Sequence, residues 1–458
     1  MIREKRNPVK IMSRKKALDM TNGPFLKKIF IFAVPLIFTG LLQLLYNSAD
    51  TAIVGKFAGP QALAAVGSTG SLINLIINVF MGMSMGAGVM AARHIGAGDE
   101  NRVQKCVHTA LPLGVVCGVV VAVIGFFLSG KMLILMKVPD EVLELSTLYL
   151  KIYFIGAPGS LLYNFGASVL RASGDTKRPL YILAVSGLVN VILNLILVIP
   201  IKLSVAGVAI ATVVSQYMSA IIVVYHLLKT SSIVRVRLSK LRFDKRELLC
   251  IIRIGVPAGL QNSLFSISNV IIQSAVNSFG DIAMAGIAAG SQYDGYIYTC
   301  TNAIAQTAMT FTSQNIGAAR YKNVDKVYRY CFAVTVVISG ILSVVGYFFR
   351  EQIVWIFADT PDVISIGAQR LALVIPFYVF CSLQDVTASQ VRGMGKSVEP
   401  MIISLIGVCG VRLLWIFAVL PEGYSLLDLY WAYPISWFAA FVGLFALYKI
   451  KRRKLGKT

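Results

Sequence analysis

Apolar and polar positions along this chain separate into long greasy runs and short charged connections. Runs with little or no charge lie at about 29–50, 61–92, 106–130, 147–170, 179–201, 203–228, 254–279, 282–308, 330–349, 368–391, 400–420 and 427–448. A helix needs about 20 mostly apolar residues to cross a bilayer, so the pattern predicts twelve transmembrane helices. Pro35, Pro158, Pro257 and Pro376 fall within or near these runs, where neighbouring helices can satisfy the backbone groups a proline frees. One polar residue breaks the pattern early. The charge-free run Ile29–Ala49 ends at Asp50, and apolar sequence resumes directly after it. An ionised side chain at the bilayer centre costs roughly 2.5–3.5 kcal/mol on insertion scales, so this acid needs a reason.

Composition agrees with the pattern. Hydrophobic residues make up 57% of the 458, charged residues only 14%, and mean hydropathy is +0.74; a soluble domain carries about 25% charged residues. The seven cysteines are scattered with no CxxC and fall in or beside apolar runs, which reads as small-residue packing and not as a metal or redox centre. The opening "MIREKRNPVKIMSRKKALDM" has no apolar stretch of its own, so no cleaved signal peptide is expected and the first span inserts the chain.

A formal charge of +22 would suggest nucleic acid in a soluble protein. Here its location explains it. Most of the 43 Lys and Arg lie in the first 28 residues, in the even-numbered connections (Arg93, Arg102 and Lys105; Arg171, Lys177 and Arg178; the stretch 229–253; 320–329; Arg392 and Lys396) and in the tail after Lys449. That distribution puts both termini in the cytoplasm and leaves no charge for a nucleic-acid partner.

The chain also repeats itself. "HIGAGDENRV" at 94 resembles "NIGAARYKNV" at 315, "ALAAVG" at 62 resembles "AMAGIA" at 283, and "LRASGDTKRP" at 170 resembles "VRGMGKSVEP" at 391, each 221 positions apart. Pro35 with Pro257 and Pro139 with Pro361 add two matches at 222. A unit of six spans returns to its starting side, so the repeats are parallel. The expected organisation is a basic cytoplasmic segment 1–28, a six-helix lobe 29–228, a basic hinge loop 229–248, a second six-helix lobe 249–448 and a basic tail 449–458. Two such lobes around a central cavity suit alternating access, and suit a channel poorly, since a channel needs a ring around a filter.

Three acids lie in apolar surroundings: Asp50, Asp294 and Asp385. Asn190 and Asn194 stand four apart, on one helical face, and Thr212 in the next span can meet them. A carboxylate with amide and hydroxyl oxygens suits a hard cation, and a lone carboxylate in apolar surroundings suits a proton. Either species neutralises Asp50. Arg412 is expected to pair with Asp385 or Asp294. His94, His108 and His226 are isolated and read as loop or packing residues. "GMGKS" at 393 mimics the end of a phosphate loop, but position 390, where the leading glycine belongs, is Gln390, and the stretch follows an apolar helix instead of a strand. With no nucleotide site visible, an ion gradient has to drive any pumping.

"VPLIFTGLLQLLYNSADTAIVGKFAG", "MAARHIGAGD", "LRASGDTKRP" with its second-half partner, and "LQDVTASQVRGMG" resemble the multidrug and toxic compound extrusion (MATE) family, across nearly the whole chain from about 24 to 448. The resemblance implies two six-helix lobes and export of organic cations and other xenobiotics against inward Na⁺ or H⁺. It matches Asp50 to the first-helix acid of the N-terminal lobe, and matches Asn190, Asn194 and Thr212 by spacing to the polar cluster around that acid. An acid commonly stands where Asn194 does, which leaves Na⁺ against H⁺ open. Asp385 matches an acid of the C-terminal lobe in the Na⁺-coupled branch. The seventh-helix acid of that branch has no counterpart among Gln261, Asn262, Ser268 and Asn269, and Asp294 is the candidate to stand in for it.

The chain is therefore expected to be an all-α antiporter of the inner (plasma) membrane, with no catalytic role and no cofactor beyond Na⁺ or H⁺ as coupling ion. Gln43, Tyr46, Tyr163, Asn164, Phe265, Tyr293 and Tyr296 are the candidate walls of a cavity for cationic drugs or dyes. The lipid bilayer is its surroundings, and a monomer is expected. A lipid-linked oligosaccharide flippase of the same superfamily is the alternative; it would want a cationic central groove, whereas the Lys and Arg here sit mostly in loops.

Overall fold

The computed structural model describes residues 18–420 and 423–455. Most of the basic segment 1–28 and the last three residues of the tail lie outside the described residues. The first repeat comprises α1 (Phe25–Phe57), α2 (Pro60–Gly96), α3 (Glu100–Leu135), a crossing split into α4 (Asp140–Ile155) and α5 (Ala157–Ala172), then α6 (Lys177–Val198) and α7 (Ser204–Lys229). The second comprises α8 (Lys245–Asn277), α9 (Asp281–Gly317) and α10 (Tyr321–Phe348), followed by a short α11 (Arg350–Trp355) and a crossing split into α12 (Pro361–Val374) and α13 (Tyr378–Gly393). The next crossing alternates α14 (Val398–Ser404) and α15 (Val411–Leu414) with π-helical turns at Leu405–Gly410 and Trp415–Val419. The last joins α16 (Leu426–Tyr430) to α17 (Ala432–Lys454).

Twelve crossings result among the described residues, and they embed the chain in a membrane. Ten are long and apolar enough by themselves. Of the other two, 140–172 is interrupted at Gly156, and Asp281–Gly317 is long but carries Ser, Gln, Asn, Thr and Asp along its length. The helices outrun the apolar runs. At 1.5 Å per residue, the 37 residues of α2 reach about 55 Å, well past the ~30 Å hydrocarbon layer, and their polar ends project beyond it. For the same reason Asp50 does not end its helix: α1 continues to Phe57.

The duplication is visible in the backbone. Left-handed corners recur 221 positions apart at Gly59 and Gly280 (φ +90° and +88°) and at Gly174 and Gly395 (+91° and +85°). They also recur at Gly98 and Ala319, +69° and +55°, where the second copy holds the corner without a glycine and carries the strain of a Cβ. The split crossings break at equivalent places, Gly156 and the turn Ile375–Phe377.

The repeats meet through glycines. Gly82 and Gly86 of α2 lie against Gly255 and Gly259 of α8, backbone to backbone, a small-residue contact that suits helices in lipid. Further along, a methyl group on Gly96 would overlap the carbonyl oxygen of Gln314, and one on Gly317 would overlap that of Arg93. These are the same contact seen from each repeat. His94 Nε2 also donates to Glu247 Oε2 at 2.9 Å, both residues being buried, so His94 is a partnered contact between repeats and not a lone packing residue. All these contacts lie toward the end of the bundle that carries the long basic loop.

That loop, 229–248, was expected to be a hinge, but it is fastened down. Arg237 N donates to His108 Nε2 at 3.0 Å, Gln104 Nε2 donates to the Ile233 carbonyl at 2.5 Å, and Asp244 N donates to Thr109 Oγ1 at 3.0 Å. Val234 and Val236 are buried in the core of the first repeat. Asp244 then caps α8, and its bonds from the backbone N–H groups of Glu247 and Arg246 hold its carboxyl below the usual carboxylate range. His108, read from sequence as isolated, is one of the anchors.

Gly96→Ala overpacks the reciprocal contact and should lower the thermal midpoint in detergent, at a cost of about 1–3 kcal/mol. Gly70→Ala faces open space and should be neutral or slightly stabilising.

Candidate functional site

The first repeat encloses a cavity of about 330 Å³, a size that suits a small organic ligand. Its wall comes from five helices: Gln43, Tyr46, Asn47 and Asp50 of α1, Tyr153 of α4, Ser160, Tyr163 and Asn164 of α5, Leu183, Ser186, Gly187 and Asn190 of α6, and Thr212, Ser215, Gln216 and Ser219 of α7. Asp50 is the one acid in this wall, which holds no Lys or Arg. Tyr46 is set by two features of α6: its hydroxyl donates to the Ala184 carbonyl at 3.1 Å, and its ring lies where a side chain on Gly187 would be. Tyr163 donates to the Pro179 carbonyl at 3.0 Å.

Behind the wall a polar chain reaches the acid. Thr212 Oγ1 donates to the Val208 carbonyl at 2.9 Å and accepts from Asn190 Nδ2 at 3.5 Å. Asn194 Nδ2 donates to Asp50 Oδ1, with a longer contact of 3.4 Å to Asn190 Oδ1. The four-residue spacing places the two asparagines on one face of α6, and Thr212 meets the first of them, Asn190. Asn194 is fully buried and does not line the cavity. Its Oδ1 has no hydrogen-bond partner, an exception that asks for a ligand or an alternative amide orientation. Among the described residues no cationic side chain pairs with Asp50.

The acids of the second repeat are placed differently. Asp294 is ion-paired: Arg370 Nη2 lies 2.5 Å from Asp294 Oδ2, with Arg370 almost wholly buried. This corrects the expectation that Asp294 is a cation ligand. It also corrects the expected role of Arg412, which donates to Asn269 Oδ1 at 2.8 Å and Ser436 Oγ at 3.2 Å and stacks on the Tyr433 ring. The reason is rotational: α15 lies between two π turns, which change the face a side chain presents. Asp385 on α13 accepts no hydrogen bond among the described residues, and Arg392, nearly two turns further along α13, donates to Gln261 Oε1 at 2.6 Å. Asp385 and Asp294 do not come together with the Asp50 cluster. Nor do all the expected wall aromatics. Tyr293 donates to the Leu342 carbonyl at 2.7 Å and packs on Gly346, while Phe265 and Tyr296 are half-buried on α8 and α9, away from the cavity.

Both halves match one family. The MatE family profile matches residues 35–196 and 257–417, more than half of the chain. The chain belongs to the MATE family. It is therefore a membrane transporter and not an enzyme. Among curated relatives, the chain is 28% identical to the probable multidrug resistance protein YoeA of Bacillus subtilis (strain 168), over 93% of each chain. It is 27% identical to YpnP of the same organism, also a probable multidrug resistance protein, over 87% of this chain and 89% of that one. Its fold is similar to the outward-facing conformation of a multidrug resistance MATE family transporter of the MOP superfamily, with a TM-score of 0.89, 22% identity, and coverage of 97% of this chain and 100% of that one.

Of this wall, sequence reasoning named Gln43, Tyr46, Asp50, Tyr163, Asn164, Asn190 and Thr212 but missed Tyr153, Ser186, Ser215, Gln216 and Ser219. Gln216 and Ser219 fall in a run read only as a span; their polarity inside it was the available signal. Breaking the Asp294–Arg370 pair tests the second repeat. Asp294→Asn should destabilise the protein by about 3–5 kcal/mol, read as a lowered thermal midpoint, and Asp294→Leu with Arg370→Met should recover most of the loss.

Proposed function

We propose that this MATE transporter is a secondary active exporter of lipophilic organic cations, driven by Na⁺ or H⁺ captured at Asp50. One observation carries the reading: Asp50 is the sole acid in a cavity wall without Lys or Arg, and its described hydrogen bond comes from an amide. A carboxylate so placed is neutralised by a proton, by a hard cation or by an organic cation. The rings of Tyr46, Tyr153 and Tyr163 add faces that attract a cationic substrate. A proton leaves the Asn194 amide donating as it does now. Na⁺ would call for a turn of that amide, bringing its unpartnered Oδ1 to the carboxylate beside Asn190 Oδ1 and Thr212 Oγ1 as oxygen ligands. The multidrug resistance names of the relatives support drugs or dyes as substrates.

The distribution of Lys and Arg supports cytoplasmic termini. The repeats then touch at the cytoplasmic end and the cavity serves the outward-facing state, a reading supported by the likeness to an outward-facing relative. Ion arrival at Asp50 removes the charge that holds the drug, the drug leaves outward, and the lobes reverse by separating the glycine contacts. The flippase reading finds no cationic groove in this cavity.

Proteoliposomes loaded with a lipophilic cationic dye and given separate Na⁺ and H⁺ gradients test this. The parent should export under at least one gradient, and Asp50→Asn should fall to the rate of empty vesicles under both. Parent-like export by Asp50→Asn would refute the scheme.

A further inference from the structure

The turn between α13 and α14 holds a cluster that ion coupling leaves unused. It is the "GMGKS" stretch, whose likeness to a phosphate loop fails on spacing. In the structure it borders a second cavity, of about 280 Å³, walled by Arg253 of α8 together with Lys396, Ser397 and Glu399. Gly395 turns the chain there in the left-handed region. Arg93 of α2, from the other repeat, lies on its bare Cα: a Cβ would sit 2.5 Å from Arg93 Nη2. Arg93 Nε and Nη2 are buried without a partner. So is Ser397 Oγ, on a residue 3% exposed, which precedes a helix yet makes no capping bond.

The other repeat shows what is missing. There Asp175 stands where Lys396 stands here; it accepts from Arg178 N at 3.1 Å and pairs with Arg178 Nη1 at 2.7 Å. Gln314 stands where Arg93 stands here and donates to the Ala172 carbonyl at 2.8 Å. The first copy of the turn thus carries its own anion and a satisfied neutral side chain. The second copy replaces the acid by lysine and the amide by an unpartnered guanidinium, and adds Arg253 to the wall. Glu399, the acid at hand, is engaged by Lys451 at 2.7 Å.

We propose that this pocket binds an anionic phosphate group, from a lipid headgroup or from free phosphate, and that Arg93 completes the site from the opposite repeat. A phosphate offers several acceptor oxygens at once, which suits guanidinium, ammonium and hydroxyl donors together. Because Arg93 lies on Gly395 where the repeats are in contact, the ligand binds that arrangement better and shifts the population toward it.

The test uses the purified full chain in detergent, with the thermal midpoint titrated against inorganic phosphate, against phosphatidylglycerol and against phosphatidylcholine. The midpoint should rise with phosphate or phosphatidylglycerol and stay level with phosphatidylcholine. A response to phosphate alone assigns a free anion, and a response to phosphatidylglycerol alone assigns a headgroup. Arg253→Gln and Lys396→Gln should each weaken apparent affinity about fivefold, the effect of one basic residue near an anionic lipid. Arg93→Gln should weaken it as well, and parent affinity in that variant overturns the part played by the opposite repeat. Ser397→Ala should weaken binding without lowering the ligand-free midpoint, since no bond of the free protein is lost. The ligand-free midpoint of every variant separates lost folding from lost binding. No rise with either anion, an equal rise with phosphatidylcholine, or parent affinity in the Arg253→Gln, Lys396→Gln double variant overturns the proposal.

Discussion

A carboxylate in hydrocarbon calls for a partner that neutralises it, and Asp294 and Asp50 meet that demand in different ways. Asp294 meets it with the buried guanidinium of Arg370, a fixed partner that cannot leave. Asp50 has an amide instead, supplied by Asn194. An amide can hydrogen-bond a carboxylate but does not cancel its charge, and the carboxylate faces the cavity. The same requirement gives one acid a fixed structural partner and leaves the other facing a cavity, which is why the proposed exchange of ion and substrate is placed at Asp50.

The two repeats share a backbone and differ in charge. Their left-handed corners and split crossings superimpose in sequence register, but the first repeat houses a lone acid with asparagines, while the second buries Arg370, Arg392 and Arg412. Arg370 and Arg412 both lie over the ring of Tyr433. Three buried guanidiniums against two acids make the polar interior of the second repeat net positive, opposite in sign to the wall around Asp50. The repeats share a frame, and divergence of a few side chains gives their interiors different charge.

Close approach without side chains explains how such a frame can work. Helices in lipid gain little from burying apolar groups against one another, so contacts rest on fit. Glycines on α2, α8 and α9 let the repeats touch along smooth backbone surfaces, and surfaces of this kind part without tearing apart an interlocked core. The loop between the repeats is fastened to α3 by His108 and Thr109, so it is not a free joint.

The sequence by itself determined the twelve crossings, the duplication, the acid in the first span and the face shared by Asn190 and Asn194. These depend on hydropathy over a span, on spacing and on helical periodicity, all of which are local quantities. Only the tertiary structure decided who pairs with whom. That Arg370 and not Arg412 takes Asp294, that Tyr293 serves packing, that Gln216 and Tyr153 face the cavity and that His94 meets Glu247 depend on helix rotation and on which helices become neighbours. A span's hydropathy is blind to rotation about its own axis, and residues brought together from distant positions leave no mark in the sequence between them.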